Sequence, residues 1–176
     1  MNPLNRVDFF IFRKGDIMYT RKFGKDFYET AKDIIGDKTP LSADCGLVCD
    51  KACCKGDENT GMILFPGEHT EFRTIEKDGV RLCVCGGECN RVNRPLSCMI
   101  FPFFPYMDEN GKIKAVIDPR GVGVCPLVSH SEEVAFNKAF IRRVSRLGRF
   151  LKKDPGCRKF LYETSREIDK LNLFMK

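Results

Sequence analysis

Ten cysteines stand in a chain of 176 residues, and eight of them fall between positions 45 and 98. Cys45, Cys49, Cys53 and Cys54 place four sulfurs within ten residues; Cys83, Cys85, Cys89 and Cys98 span sixteen; Cys125 precedes Pro126, and Cys157 follows alone. Thiolate is the ligand that selects zinc, copper(I) or iron–sulfur clusters over hard cations, and four thiolates close a structural zinc site. Two such groups in one chain predict a metal-binding protein. A disulfide scaffold is the weaker reading. The amino terminus, Met-Asn-Pro-Leu-Asn-Arg, has no apolar signal segment, so a reducing cytoplasmic setting is expected. The neighbours Cys53 and Cys54 would also bridge each other only with strain.

Other chemistry has few carriers. The chain has two histidines, so acid–base catalysis is short of candidates. His69, beside Glu68, is the one placed among the cysteines, and surface or hydrogen-bonding roles are expected for both it and His130. Glu68 suits either a site carboxylate or the amino-terminal end of a helix. Arg94 can set its guanidinium against backbone carbonyls or cluster sulfur. Phe101, Phe103, Phe104 and Tyr106 serve as a water shield or simply as core. No GxGxxG or GxxxxGK loop is present to seat a nucleotide.

The elements that must position these residues are short. A helix is predicted from about Lys25 to Ile35 on the spacing of Phe27, Tyr28, Ala31, Ile34 and Ile35, with Gly36 as its cap. Positions 43–56 lack periodicity and read as loop or short helical turns around a ligand. Alternating runs flanking Lys77-Asp78-Gly79, and Phe103–Met107 with Lys112–Ile117 flanking Asp108-Glu109-Asn110-Gly111, predict two hairpins. Ser129-His130-Ser131-Glu132 fits a capping box that would open a helix running to about Lys153, with Phe136, Phe140, Val144, Leu147 and Leu151 as its stripe. Asp154-Pro155 then starts a last helix bearing Cys157, Leu161, Ile168, Leu171 and Met175 on one side. Cys157 on that stripe reads as a small buried hydrophobe. The expectation is one α+β domain over residues 1–176, small, cysteine-rich and metal-stabilised. Its core is 45–127, with short hairpins, flanking helices and a helical pair at 129–176.

Charge and hydropathy limit the partners. The net charge of +6 arises wholly beyond Ser129, where 12 Lys and Arg face 6 Asp and Glu. Lys138 to Lys159 holds nine of those cations against Asp154 alone, so this basic carboxyl-terminal helix is the expected face for an unknown protein partner. It is also a possible source of cations near sulfur, although a solvated polar face is the blander account. No known nucleic-acid-binding zinc module fits these cysteine spacings, so nucleic acid is not the expected partner. The apolar run Phe9-Phe10-Ile11-Phe12 is far short of a membrane span.

A resemblance sharpens this reading. The cysteines at 45, 49, 53 and 54, then Leu64-Phe65-Pro66-Gly67-Glu68, Cys85-Gly86-Gly87-Glu88-Cys89, Arg94-Pro95-Leu96-Ser97-Cys98-Met99-Ile100-Phe101-Pro102 and Cys125-Pro126 resemble the zinc- or iron-chelating YkgJ-like family, named for a CxxCxxCC pattern. The likeness covers about residues 45 to 127, and it departs from the family in having gaps of three where the name describes two. It implies chelation through about eight cysteines: Cys45, Cys49, Cys53, Cys54, Cys85, Cys89, Cys98 and Cys125, enough for two zinc ions in four-thiolate sites or for an iron or iron–sulfur centre. Cys83 remains an alternative to Cys85. The function implied is structural, metal-handling or accessory, leaning away from an enzyme. The rival is an iron–sulfur redox or partner-dependent modifying enzyme, by analogy with proteins resembling flagellin lysine methylases.

Overall fold

A computed structural model describes residues 26–57, 60–77 and 79–174, without the side chains of Asp26 and Val48. The expectations that touch Lys25, Asp78, Met175 and the Phe9–Phe12 run lie outside these residues. The fold is α+β, and its elements in chain order are α1 Asp26–Ile35, α2 Gly46–Cys49, β1 Met62–Ile63, β2 Arg73–Lys77, β3 Val80–Val84, α3 Leu96–Ile100, β4 Phe103–Met107, β5 Ile113–Ile117, α4 Pro126–Ser129, α5 Lys138–Leu151 and α6 Pro155–Phe174. Turns of 3₁₀ helix cover Ala52–Cys54, Arg91–Asn93 and Pro119–Gly121. None of the described helices is long and apolar enough to cross a membrane.

Both hairpins form where turn chemistry puts them. Lys77 pairs with Val80 and Arg73 with Val84, and Gly79 takes a φ of 78°, a conformation glycine adopts without steric cost. Met107 pairs with Ile113, and Gly111 at φ 74° closes the intervening loop. A strand that the sequence pattern does not reveal joins the first hairpin: β1, two residues long, lies antiparallel to β3 with Met62 opposite Cys83. Gly61 permits this, since a Cβ there would stand 2.6 Å from the Cys83 carbonyl oxygen.

The main core lies between the second hairpin and the helices. Phe103, Phe104 and Met107 of the hairpin meet Ala31 and Ile35 of α1, Phe140, Val144, Leu147 and Leu151 of α5, and Cys157, Leu161 and Ile168 of α6. The α6 stripe is therefore as expected through Ile168, with Cys157 fully buried. The start of α5 is a correction. Ser129 closes α4 and its hydroxyl donates to the Val122 carbonyl at 2.8 Å, so it caps no long helix. Asn137 does so instead, its Oδ1 accepting from the backbone N–H of Ala139 at 2.9 Å and of Phe140 at 3.3 Å. An Asn side chain of this kind satisfies the orphan donors at a helix start as well as Ser does. Asp154 has the same role for α6, accepting from Gly156 and Cys157.

The tightest point of this core is Gly148. A Cβ at that position would lie 2.5 Å from the Pro105 Cβ and 2.7 Å from the Ile113 Cγ2, so α5 approaches the hairpin through a gap only hydrogen can fill. Gly148→Ala is expected to destabilise the domain by about 1–3 kcal/mol, despite alanine's better helix propensity, as measured by urea unfolding. Arg146→Ala, on the exposed face of the same helix, should stay within about 0.5 kcal/mol of wild type.

Candidate metal centre

The first cysteine group sits on a chain that reverses twice. Cys45 precedes α2, Cys49 ends it, and Asp50 and Lys51 then both take left-handed backbone angles, with φ of 47° and 54°. Each such residue without glycine costs roughly 1–2 kcal/mol, and the reversal delivers Cys53 and Cys54 on the 3₁₀ turn that follows. The loop is fastened to the end of β3: Lys55 bridges Gly86, and the Gly56 N–H donates to the Cys85 carbonyl at 2.9 Å. The first and second cysteine groups are brought together in this way.

In the second group, Cys83 lies within β3, paired with Met62 on one side and Thr74 on the other, and is only 2% exposed. Cys85 lies past the strand end, half-buried, with its thiol 3.9 Å from the Glu88 carbonyl oxygen. Arg94 Nε donates to Cys89 Sγ at 3.3 Å, which realises the sulfur-facing role open to this arginine. Cys98 rides on α3. Cys125 is buried at the start of α4 beside Leu127 and Val128, and Cys45 packs against that small cluster.

Glu68 fixes the position of α3. It is 1% exposed, and its two carboxylate oxygens accept from the Leu96 N–H at 2.7 Å and the Phe65 N–H at 3.1 Å. Of the two roles open to it in the sequence, the structure shows the helix amino-terminal one, with the carboxylate bonded to the first residue of α3. The Leu64–Glu68 turn is held in place by Tyr28, whose hydroxyl donates to the Pro66 carbonyl, and the Ser97 hydroxyl donates to the Ile63 carbonyl. His69 and His130 are exposed.

Six cysteines, Cys53, Cys54, Cys83, Cys85, Cys89 and Cys98, line one cavity of about 260 Å³. Its other walls include the rings of Phe72, Phe101, Phe103, Phe104 and Phe160 beside aliphatic side chains, and Arg120 and Asp118 also line it, paired through Nε–Oδ1 at 2.9 Å and Nη2–Oδ2 at 2.6 Å. Three of the four expected shielding aromatics are therefore here. Tyr106 is elsewhere, bonded to Asp169 and Arg166. The cations of α5 do not line the cavity; Lys55, Arg94 and Arg120 do. Helix α5 packs on α1 and the second hairpin, which leaves Arg142, Arg146 and Arg149 facing outward.

All ten cysteines are free thiols. Burial pushes the thiols of Cys45, Cys83, Cys98 and Cys125 up, and Cys157, deep in the helical core, up to about 12. Cys53 and Cys54 behave as a pair. The Cys53 thiol hydrogen-bonds its neighbour, which raises Cys53 itself and lowers Cys54 to about 6, helped by the charge of Arg94. Among the described residues no three Cys, His, Asp or Glu side chains are already gathered into a set that could hold an ion. The donor set nevertheless suits a soft metal: reduced sulfurs around one cavity, with a guanidinium to offset thiolate charge.

No protein-family model, curated protein or solved structure matches the chain. The sequence pattern had pointed to the cysteines, Glu68 and Arg94. It gave no sign of β1, of the two left-handed residues after Cys49 or of the Asp118–Arg120 pair, because each depends on a close approach between distant segments.

Burial raises the Glu68 carboxyl from its ordinary 4.5 to about 7, against the opposing pull of its two backbone donors. A carboxyl raised on folding holds its proton more tightly in the folded chain. Its contribution is therefore fully present below about pH 4.5 and is lost as pH rises through about 7. The stability of wild type relative to Glu68→Gln should fall by on the order of 3 kcal/mol between pH 4.5 and 7.5, read from urea midpoints of the two proteins side by side. A difference that rises with pH would show that the N–H bonds outweigh burial.

Proposed function

We propose that the chain is a metal-binding protein whose cysteine clusters hold zinc or iron, with the metal serving mainly to organise the fold or to be handled with a partner. The observation that carries this reading is the single cavity shared by six free cysteines with Arg94 hydrogen-bonded to one of them. The resemblance of residues 45 to 127 to the YkgJ-like chelating family supports the same reading. The holding residues would be Cys45, Cys49, Cys53, Cys54, Cys89, Cys98 and Cys125, with Cys85 or Cys83 as the eighth. Zinc bound by four thiolates is saturated and cross-links the segments that bear them, as structural sites do. The protein's own contribution is to hold the sulfurs on β3, α3 and the 3₁₀ turn, to exclude water with Phe101, Phe103 and Phe104, and to set a cation against Cys89. Thiols raised by burial must give up protons to bind, so metal affinity should increase with pH. A cytoplasmic setting follows from the same chemistry, since reduced thiols are needed, and the outward arginines of α5 suit an acidic protein partner.

A second reading, an iron–sulfur redox or partner-dependent modifying enzyme, is favoured by one feature: the cavity, at about 260 Å³, is far roomier than one ion needs. Anaerobic purification with elemental analysis and visible absorption separates the two. A colourless protein with about two zinc ions per chain is the expected result. A brown, oxygen-sensitive protein would promote the second reading, and a chain that takes up neither metal would overturn both.

Metal removal should act unevenly. Outside its turns and short strands, the stretch 45–63 buries little, whereas α1, α5 and α6 share an apolar core. Chelation should therefore erase hydrogen-exchange protection around 45–63 and 80–98 and leave that of α5 and α6 largely intact. Cys98→Ala should lower metal content markedly, and Cys157→Ala hardly at all. Equal loss in the two variants would show the ligands to be misassigned.

A further inference from the structure

Helix α5 has one face that nothing among the described residues covers. Phe140, Val144, Leu147 and Leu151 are buried in the core, and the polar residues beside that stripe are bonded to neighbours. On the α1 side Arg143 Nη1 donates to the Ile35 carbonyl at 2.8 Å. On the hairpin side the Ser145 hydroxyl accepts from the Ala115 N–H at 3.0 Å, and Lys152 Nζ, just past the helix, donates to the Gly111 carbonyl at 2.8 Å. What remains outward is Lys138, Arg142, Arg146 and Arg149, all exposed, in steps of four, four and three residues. Those steps keep them in one row opposite the buried stripe, about 16 Å long at the helical rise. Exposed Lys153 extends the row past the last turn. Among the described residues none of Lys138, Arg142, Arg146 and Arg149 has an ion-pair partner, and α5 contains no acid. Like charges one turn apart oppose helix formation, so the row is a repulsion that an anionic partner would relieve. It is also rigid: beneath it α5 packs on the hairpin at Gly148, where a Cβ would lie 2.5 Å from the Pro105 Cβ, so the spacing is preset and little order is lost on binding.

We infer that this ridge docks an acidic α-helix of a partner protein, one whose Asp and Glu recur at three- and four-residue steps along a single face. It rests on the partner reading above and uses none of the cysteines. A helix laid along α5 presents its carboxylates at the same rise. Three of the four cations are arginines, whose planar fork takes a carboxylate through two hydrogen bonds. Two other anionic partners fit less well. A nucleic acid would meet only cations on the ridge, with no ring to stack on a base and no free amide or hydroxyl to read one. The flanks also differ in sign: exposed Asp33 and Asp37 lie on the α1 side, where α1 packs on α5, and exposed Lys112 and Lys114 on the hairpin side. A duplex broad enough to cover the ridge would meet the α1 carboxylates, whereas a single helix can lean toward the hairpin. An anionic membrane would find no apolar side chain on the ridge to insert.

The test uses the full chain as purified and two synthetic helical peptides of one composition. The first has its glutamates in one row at those steps, and the second has them scattered around the helix. By fluorescence anisotropy at low salt, wild type should bind the first about tenfold more tightly than the second. Arg142→Ala, Arg146→Ala and Arg149→Ala together should erase that preference. Arg73→Ala, Lys159→Ala and Lys170→Ala together remove the same charge elsewhere and should keep it. Urea midpoints of both triple variants should stay near wild type, since every substituted side chain is exposed. Arg146→Glu alone, at the centre of the row, should weaken the first peptide severalfold and serves if the triple variant does not fold. No binding of either peptide, equal binding of the two, or equal loss in both triple variants overturns the inference. Tighter binding of a DNA duplex or of phosphatidylserine vesicles than of the first peptide does the same. Metal content keeps the two readings apart: a metal-bearing protein without the preference refutes the docking alone, and a protein with the preference that takes up no metal refutes the metal reading alone.

Discussion

The carboxylate of Glu68 is the interaction on which the cysteine half of this molecule is built. A buried carboxylate is expensive unless its lone pairs are occupied, and here both oxygens are, by the N–H groups of Phe65 and Leu96. Those two bonds join the turn after β1 to the first residue of α3, and α3 carries Cys98. The same turn receives the Tyr28 hydroxyl from α1 and, through the Glu68 carbonyl, the Arg81 guanidinium from β3 at 3.3 Å. One side chain thereby sets the relation between the three-stranded sheet that bears Cys83, the short helix that bears Cys98 and the helical core behind them. The arrangement is costly because the group is isolated from water, and that is why it is specific: an unsatisfied donor at Leu96 or Phe65 would cost about 1–3 kcal/mol.

The molecule has two kinds of stability side by side. The second hairpin with α1, α5 and α6 is an apolar core of the usual sort, filled to the point where Gly148 has no space for a methyl group. The segment from Cys45 to Cys98 has short strands, brief helical turns and two consecutive left-handed residues, Asp50 and Lys51. Surface pairs such as Lys55 with Asp50, both largely exposed, add little. On the metal reading proposed above, the free cysteines of this segment would supply the cross-link that such a backbone lacks. Arg94 fits the same proposal: its guanidinium is bonded to Cys89 and would offset part of the negative charge that thiolate ligands bring to a metal.

Much of this was legible in the sequence, for local reasons. Asp-Gly and Asn-Gly between alternating runs marked both hairpins, and helical spacing marked α1, the stripe of α5 and the start of α6 after Asp154. The α+β class followed from those elements together. The start of α5 was misplaced because Ser129 and Glu132 have the right identities for a capping box, while Asn137, an equally good cap, lies closer to the periodic residues. What remained invisible was contact between distant segments. Strand β1 is two residues long and exists only because Gly61 admits the Cys83 carbonyl. Spacing alone left Cys83 and Cys85 as alternatives, since a two-residue offset places both on one side of a strand; β3 ends at Val84, and both cysteines line the same cavity.

The central claim is that these sulfurs are metal ligands, and sulfur coordination is what most directly tests it. X-ray absorption at the metal edge of the protein purified anaerobically should show a first shell of sulfur alone, at about 2.3 Å for zinc, with about four sulfurs per ion. A first shell of oxygen or nitrogen, with the thiols still free, would contradict the account.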